Sequence, residues 1–278
     1  MSGAGLMLDA DWRARLAVRA DVAPQVPRAP LRTADGAHTI GSLEAALAAR
    51  LVDAGLLVAD RSDDADRAHQ PDGWRLSATR DADAALAAIA HWLHANRLGG
   101  RWRDELLGVF DMAGGGTTPI AVIERAAVRP LGIVTHAVHL VGRRASDGHV
   151  WVQQRALDKA TDPGQWDTLM GGLVSARESI ALTLARETWE EAGLRVAELT
   201  GVRAFGRITV RRPVTDGYMV EHLEMFEAHV PDALVPQNQD GEVERFECLP
   251  PAELRARLHT DSFTLEAALI LATVLGDR

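Results

Sequence analysis

The chain has 278 residues, 47% hydrophobic and 25% charged, a balance that builds a folded soluble protein and excludes a disordered one. At about 150 residues per domain, that length holds one large domain or two ordinary ones. Thirty basic against 39 acidic residues leave a net charge of −9. That gives no general attraction to nucleic acid or an anionic membrane, so an anionic ligand needs local cations or a metal.

A single cysteine, Cys248, excludes an internal disulfide and a Cys-rich zinc site. Residues 1–6 lack the basic start and apolar core of a signal peptide. The longest apolar runs, 84–93 and 267–275, are about half of the roughly 20 residues a membrane span needs. A cytoplasmic protein with neither membrane nor nucleic-acid partner is expected. Lys159 is the only lysine, the other 29 basic residues being arginine.

In chain order, residues 42–58 and 81–96 show helical spacing, with Ser42 and Asp81 or Asp83 as caps. Residues 61–73 read as an acidic loop. Residues 108–111 and 120–124 read as short strands around a glycine-rich run, 113–118. That run lacks the Gly-Lys-Ser/Thr ending of a phosphate cradle and is expected to be a hairpin loop. From residue 131 strands are expected at 135–142, 149–155, 205–210, 219–230 and 243–249, with helices at 179–192, 251–259 and 264–275. The pattern predicts an α/β protein in two parts. Residues 1–128 form a smaller α+β domain that caps a site, sets specificity or mediates dimerisation. Residues 129–278 form a mixed sheet sandwiched by helices.

The informative stretch is 171–194, GGLVSARESIALTLARETWEEAGL. On a helix, Ala181, Leu184, Ala185, Thr188 and Ala192 share one arc, the expected core stripe. Glu187, Glu190 and Glu191 gather in a second arc, at the end of the helix where its dipole disfavours acids. Clustered carboxylates repel unless a positive charge sits among them. A hard divalent cation, Mg²⁺ or Mn²⁺, takes oxygen ligands and relieves that repulsion while bridging to phosphate. Arg186 can orient one carboxylate by a bidentate pair. Gly172 and Gly193 supply the flanking turns.

The residues Gly172, Glu178, Arg186-Glu187, Glu190-Glu191 and Gly193-Leu194 match the Nudix box, Gly-x5-Glu-x7-Arg-Glu-U-x-Glu-Glu-x-Gly-U, with Thr188 at the first bulky aliphatic position U. The chain therefore resembles a Nudix hydrolase. The resemblance implies a Nudix-type α/β/α sandwich with a mixed sheet and Mg²⁺-dependent cleavage of a diphosphate linked to another group. It implies Glu187, Glu190 and Glu191 as metal ligands, assisted by Glu178 and by Gly171 just before the box. Arg186 holds the loop, and Glu191 or Glu190 is the general base. A homodimer is expected by the same analogy.

A wider likeness surrounds the box. Gln154-Arg155-Ala156-Leu157-Asp158-Lys159 and Pro163-Gly164-Gln165-Trp166-Asp167 are similar to the lead-in of Nudix proteins related to isopentenyl-diphosphate isomerase. They are also similar to two-domain Nudix proteins labelled thiamine-pyrophosphokinase-related. The latter carry segments like Trp102-Arg103-Asp104-Glu105 and Glu124-Arg125-Ala126-Ala127. That likeness implies thiamine diphosphate or its oxo forms as substrate. Arg155 and Lys159 are candidates for phosphate contact, and Trp166 for ring stacking or core packing; Glu242 and Glu244 share one face of a strand, and the family resemblance implies that one of them completes the metal site. Two other functions remain open. An isomerase needs a cysteine ahead of the box, whereas Cys248 follows it. A catalytically silent ligand-sensing module tends to have an eroded box, whereas this one keeps its carboxylates.

Overall fold

The computed structural model describes residues 9–60, 72–78, 81–112 and 118–276. The chain opens with α1 (Ala10–Ala20), capped by Asp9. Then follow β1 (Arg28–Arg32), β2 (Thr39–Glu44), α2 (Ala45–Asp53), β3 (Leu57–Asp60) and β4 (Gly73–Leu76). The strands form a sheet of order β2-β1-β4-β3, in which β1 and β4 run parallel and the other neighbours antiparallel. Helix α3 (Ala82–Ala95) and the antiparallel pair β5 (Leu106–Val109) and β6 (Ala121–Glu124) share a hydrophobic core with this sheet. The glycine run at 113–117 and most of the acidic loop, 61–71, lie outside the described residues.

Only nine residues of 42–58 are helical. Ser42 belongs to β2, facing Pro30 of β1, and its hydroxyl accepts from Arg28 Nε at 3.0 Å instead of capping a helix. Gly55, at φ 71°, turns the chain out of α2 toward β3. An apolar run of this kind satisfies helical and strand periods alike, and the neighbouring strands decide. Asp81 does cap α3, accepting from the Ala84 amide at 2.7 Å.

The second sheet is built from β7 (Val134–Arg144), β8 (Val150–Arg155), β9 (Trp166–Asp167), β10 (Met170–Leu173), β11 (Thr200–Val214), β12 (Gly217–Val230) and β13 (Val243–Leu249). Its order is β11-β12-β7-β8-β13, with β10 added to β7 and β9 to β8. The long central β7 runs parallel to β12 and antiparallel to β8 and β10, so the sheet is mixed. Helix α4 (Ile180–Ala192) follows β10, and α5 (Pro251–Leu258) and α6 (Leu265–Leu275) follow β13.

Alternation along β7 sets the layers. Ala137 and Val141 share a core with α6, whereas Val138 and Leu140 share one with Leu184 and Ala192 of α4. The sheet is thus sandwiched by helices. Trp12, Leu16 and Ala20 of α1 are buried in the core beneath α6. The first helix therefore packs on the later sheet, not on the one that follows it in the chain.

Candidate active site

Strand β10 and helix α4 assemble the box. Ser179 caps α4 by accepting from the Leu182 amide at 3.2 Å. Gly193 ends it in the left-handed region, φ 62°, where its amide and that of Leu194 close back on the last turn. The buried face differs from the expected stripe. Leu184, Thr188 and Ala192 are buried, but Ala181 and Ala185 are exposed, and Thr183 and Glu191 take their place. The helix is rotated so that Glu191, 2% exposed, meets the sheet. Its carboxylate accepts from the Gly171 amide at 2.9 Å and from Gln153 Nε2 at 2.8 Å. Thr188 donates to the Leu184 carbonyl at 2.6 Å, so the hydroxyl at an aliphatic position is satisfied within the helix.

Arg186 supplies the positive charge that the clustered carboxylates require. Its Nε and one terminal nitrogen grip both oxygens of Glu178 at 2.8 and 2.9 Å. The other terminal nitrogen reaches Glu187 and Glu190, each at 2.8 Å. The Arg186 hydrogen bond holds the Glu178 carboxyl below its ordinary range, and the Thr183 hydroxyl adds a bond at 2.9 Å. Burial pushes Glu187 up to about 7 despite Arg186, and pushes Glu191 up to about 8 despite its two donors. Both carboxyls are poised to ionise once a further cation faces them.

Among the described residues no three His, Cys, Asp or Glu side chains converge into a ready metal cage. The donors nonetheless fit a hard divalent cation in kind. They are carboxylate oxygens, two of them desolvated, and the backbone beneath them is clear of side chain. A Cβ on Gly172 would lie 2.5 Å from Glu187 Cγ and overlap its carboxyl group, so only glycine leaves Glu187 its place.

These residues face a cleft of about 700 Å³, lined by Gly171, Gly172, Arg186, Glu187 and Glu190 on one side. Arg155, Lys159 and Glu242 also line it. Lys159 pairs with Glu242, and Arg155 reaches Asp167 at 3.3 Å. Glu191 lies behind the wall, bonded to the sheet. Trp166 and Glu244 are not brought to the cleft. Trp166, 7% exposed, is a core residue with the guanidiniums of Arg245 and Arg257 over its ring at 5.3 and 5.7 Å, and Glu244 is exposed elsewhere.

His136 and His139 point to opposite sides of β7, toward Glu224 at 3.1 Å and Thr168 at 3.2 Å respectively. Burial holds His139, which lines the cleft, below its ordinary range and hence neutral.

Sequence reasoning missed Gln153, whose amide orients Glu191, because nothing in residues 153 and 191 announces their contact. It missed Glu221, a cleft carboxyl raised by burial that accepts from the Thr135 hydroxyl at 2.9 Å. It also missed Arg101, Arg103, Arg125 and Arg129, which reach the same cleft from the first part of the chain. Arg103 and Arg125 belong to the segments 102–105 and 124–127, which carry the family likeness but by themselves assign no role to either arginine.

A family model described as NUDIX domain matches residues 135–269. The chain is 33% identical over 143 residues to Nudix hydrolase 20, chloroplastic, of Arabidopsis thaliana, covering 51% of this chain and 38% of that protein. It is 32% identical over 114 residues to an isopentenyl-diphosphate Delta-isomerase of Rhodobacter capsulatus, covering 40% of this chain and 62% of that one. A crystal structure of DR0079 from Deinococcus radiodurans superposes with a TM-score of 0.49 at 20% identity, covering 62% of this chain and 99% of the other. The chain spans 38% and 39% of the length of the two Arabidopsis relatives it matches. The part of the chain that carries the carboxylate and arginine constellation, residues 135–269, is a NUDIX domain.

Proposed function

We propose that the chain is a hydrolase that cleaves a diphosphate linkage with the help of Mg²⁺ or Mn²⁺. The observation that carries the reading is the set Glu178, Arg186, Glu187, Glu190 and Glu191, tied together by Arg186 and the strand amide of Gly171, with Arg186, Glu187 and Glu190 at one wall of the cleft. Glu187, Glu190 and Glu191, with Glu178 and Gly171 assisting, are the residues that would hold the cation. Its chemistry there is to polarise an attacking water and offset charge on a departing phosphate.

The chain's own groups do the rest. Arg186 is held charged and keeps Glu178, Glu187 and Glu190 gathered at one place. Gln153 and Gly171 fix Glu191 against the sheet. Of the two candidate bases, Glu190 lines the cleft and takes the proton of the attacking water, while Glu191 is held behind the wall. Arg155 and Lys159 line the cleft where a phosphate oxygen needs a donor. The domain ending near residue 128 caps the site and sets specificity, with α1 packed on the later core.

The substrate is a nucleoside or thiamine-type diphosphate, the latter supported by the likeness to thiamine-pyrophosphokinase-related proteins. A cytoplasmic homodimer belongs to the same reading and rests on the sequence and on family analogy. No helix among the described residues is long and apolar enough to cross a membrane.

Product analysis by mass spectrometry tests the proposal. The protein is incubated with Mg²⁺ and thiamine, oxothiamine and isopentenyl diphosphates, ADP-ribose and NADH. Monophosphate products are expected, lost on chelation and lost in Glu190→Gln and Glu191→Gln variants that still fold. Activity unchanged in both variants refutes it. Isomerised product without phosphate release would favour the isomerase, a reading disfavoured because Cys248 lies in β13 away from the cleft lining. Ligand binding without turnover would favour a silent module.

A further inference from the structure

The cleft has a second wall that the box does not supply. Adjoining it is a cavity of about 820 Å³, and both are lined by Arg101, Arg103, Arg125 and Arg129 from the first part of the chain. Most cations around the two cavities are already matched. Arg125, Arg129, Arg155, Lys159, Arg186 and Arg212 each pair with a carboxylate. The side chains of Arg101 and Arg103 have no such partner among the described residues, and both residues are exposed.

The backbone that carries these two arginines is nevertheless rigidly built. The Glu124 carboxylate, only 4% exposed, accepts from the amides of Arg103 at 2.9 Å, Glu105 at 3.1 Å and Ala126 at 3.4 Å. The Gly100 amide donates to the Ala126 carbonyl at 2.9 Å. A Cβ on Gly99 would lie 2.9 Å from that same oxygen, so the approach requires glycine. Between the two arginines, Trp102 faces the other way. Its ring stacks on His91 of α3 at 5.0 Å, and its indole N–H donates to Asp104 at 2.7 Å. A buried carboxylate and an anchored indole thus fix a loop whose outward side chains are two unmatched guanidiniums. Ordering such a loop contributes little to stability at its exposed tip, so its use lies in what the tip meets.

The chemistry of the wall narrows the ligand. Among the described residues neither cavity is lined by Phe, Trp or Tyr, and the one ring at the cleft, His139, is buried and bonded to Thr168. Paired guanidiniums instead match the oxygens of a phosphate, each able to donate two parallel bonds. A terminal phosphate, substituted once, carries a charge of about −1.5 to −2 near neutrality, whereas one substituted on two sides carries a single charge. In a chain of net charge −9, two unmatched arginines are what local anion capture needs.

We propose that Arg101 and Arg103 form an anion clamp for the terminal phosphate of a diphosphate monoester, whose linkage then lies against Glu187 and Glu190 across the cleft. That this ligand is the substrate rests on the hydrolase reading, but the clamp itself is a binding site testable without turnover.

The test is calorimetric titration of inorganic pyrophosphate into the whole chain at low salt with a chelator present. Parallel titrations use Arg101→Gln/Arg103→Gln and, as a second probe, dimethyl pyrophosphate esterified at both ends. Losing two charge-assisted contacts should weaken pyrophosphate binding by about a hundredfold. The dimethyl ester should bind the parent at least about tenfold more weakly than pyrophosphate and be insensitive to the double substitution. Glu124→Gln, which turns one acceptor into a donor facing backbone N–H groups, should weaken pyrophosphate about tenfold. It serves as the positioning control, read beside its unfolding temperature.

Pyrophosphate binding in the double variant within about threefold of the parent, no binding to the parent, or equal binding of the dimethyl ester each overturns the clamp. Both arginines are exposed, so the double variant folds even if Glu124→Gln does not. Loss of pyrophosphate binding alongside absent turnover by the parent supports the clamp while refuting the hydrolase.

Discussion

Gly172→Ala isolates what the first glycine of the box does. Gly172 lies in β10 opposite Val138 of β7, in backbone that any residue adopts, so alanine meets no conformational obstacle. The obstacle is Glu187, whose Cγ would stand 2.5 Å from the new methyl group, with its carboxyl nearer still. Ordinary carbon contacts lie at about 3.5–4.0 Å, so the side chain must retreat by about 1 Å or more.

Two stability terms then oppose each other. Alanine stiffens the unfolded chain, worth about 0.4–1 kcal/mol. The loosened Arg186–Glu187 pair costs about 0.5 kcal/mol, because Arg186 is a third exposed. The melting temperature should therefore move by no more than about 4 °C. Activity has no such compensation, since a misplacement of about 1 Å at a reacting centre costs about 10²-fold. Initial rates on the substrate found by product analysis, beside a thermal melt, give both numbers. A kcat/KM within about threefold of the parent refutes the reasoning about Glu187. A melting temperature lowered by more than about 10 °C refutes the reasoning about the strand.

Other expectations follow from packing and charge. Trp12→Ala should destabilise the fold by about 3–5 kcal/mol, because Trp12 is 5% exposed in the core beneath α6 and meets the His259 ring in a tilted contact at 4.8 Å. A denaturant midpoint unchanged by that substitution would mean α1 is not part of the core.

Asp60 is buried between Arg75 at 2.5 Å and Arg32 at 2.6 Å, and chiefly the Arg75 hydrogen bond holds its carboxyl below the ordinary value. Its pKa is lower folded than unfolded, so its stabilisation is full above about pH 4 and is lost as pH falls through the lowered folded value. Asp60→Asn should lower stability at neutral pH and flatten the acid limb of the stability profile. An acid limb identical to the parent's would contradict the assignment. Glu190→Gln and Glu191→Gln should each abolish hydrolysis with folding retained, as judged by circular dichroism and product release.

Much of the second sheet was legible because its signals are local. The strand expected at 243–249 is β13 residue for residue, and α4 starts after Ser179 and stops at Gly193 where its cap and left-handed glycine dictate. The box residues were readable for the same reason, since one short strand, one helix and the turns before and after that helix carry them all. The run 42–58 misled because its apolar spacing suits a helix and a strand equally, and only pairing with β1 settles Ser42 into β2.

The rotation of α4 was not legible either. Burying Glu191 in place of Ala181 or Ala185 is tolerable only where donors offset the desolvation, and those donors are the amide of Gly171 and the side chain of Gln153, 38 residues away. The same holds for Trp166, open between ring stacking and core packing and found in the core, and for Arg101 and Arg103, given no role and found lining the same cleft as the box. Period, caps and motif spacing act within a turn or two of chain and are written in the sequence. Which carboxylate is buried, and which cation is left without a partner, depends on residues tens of positions apart meeting in space, and that only the tertiary structure decides.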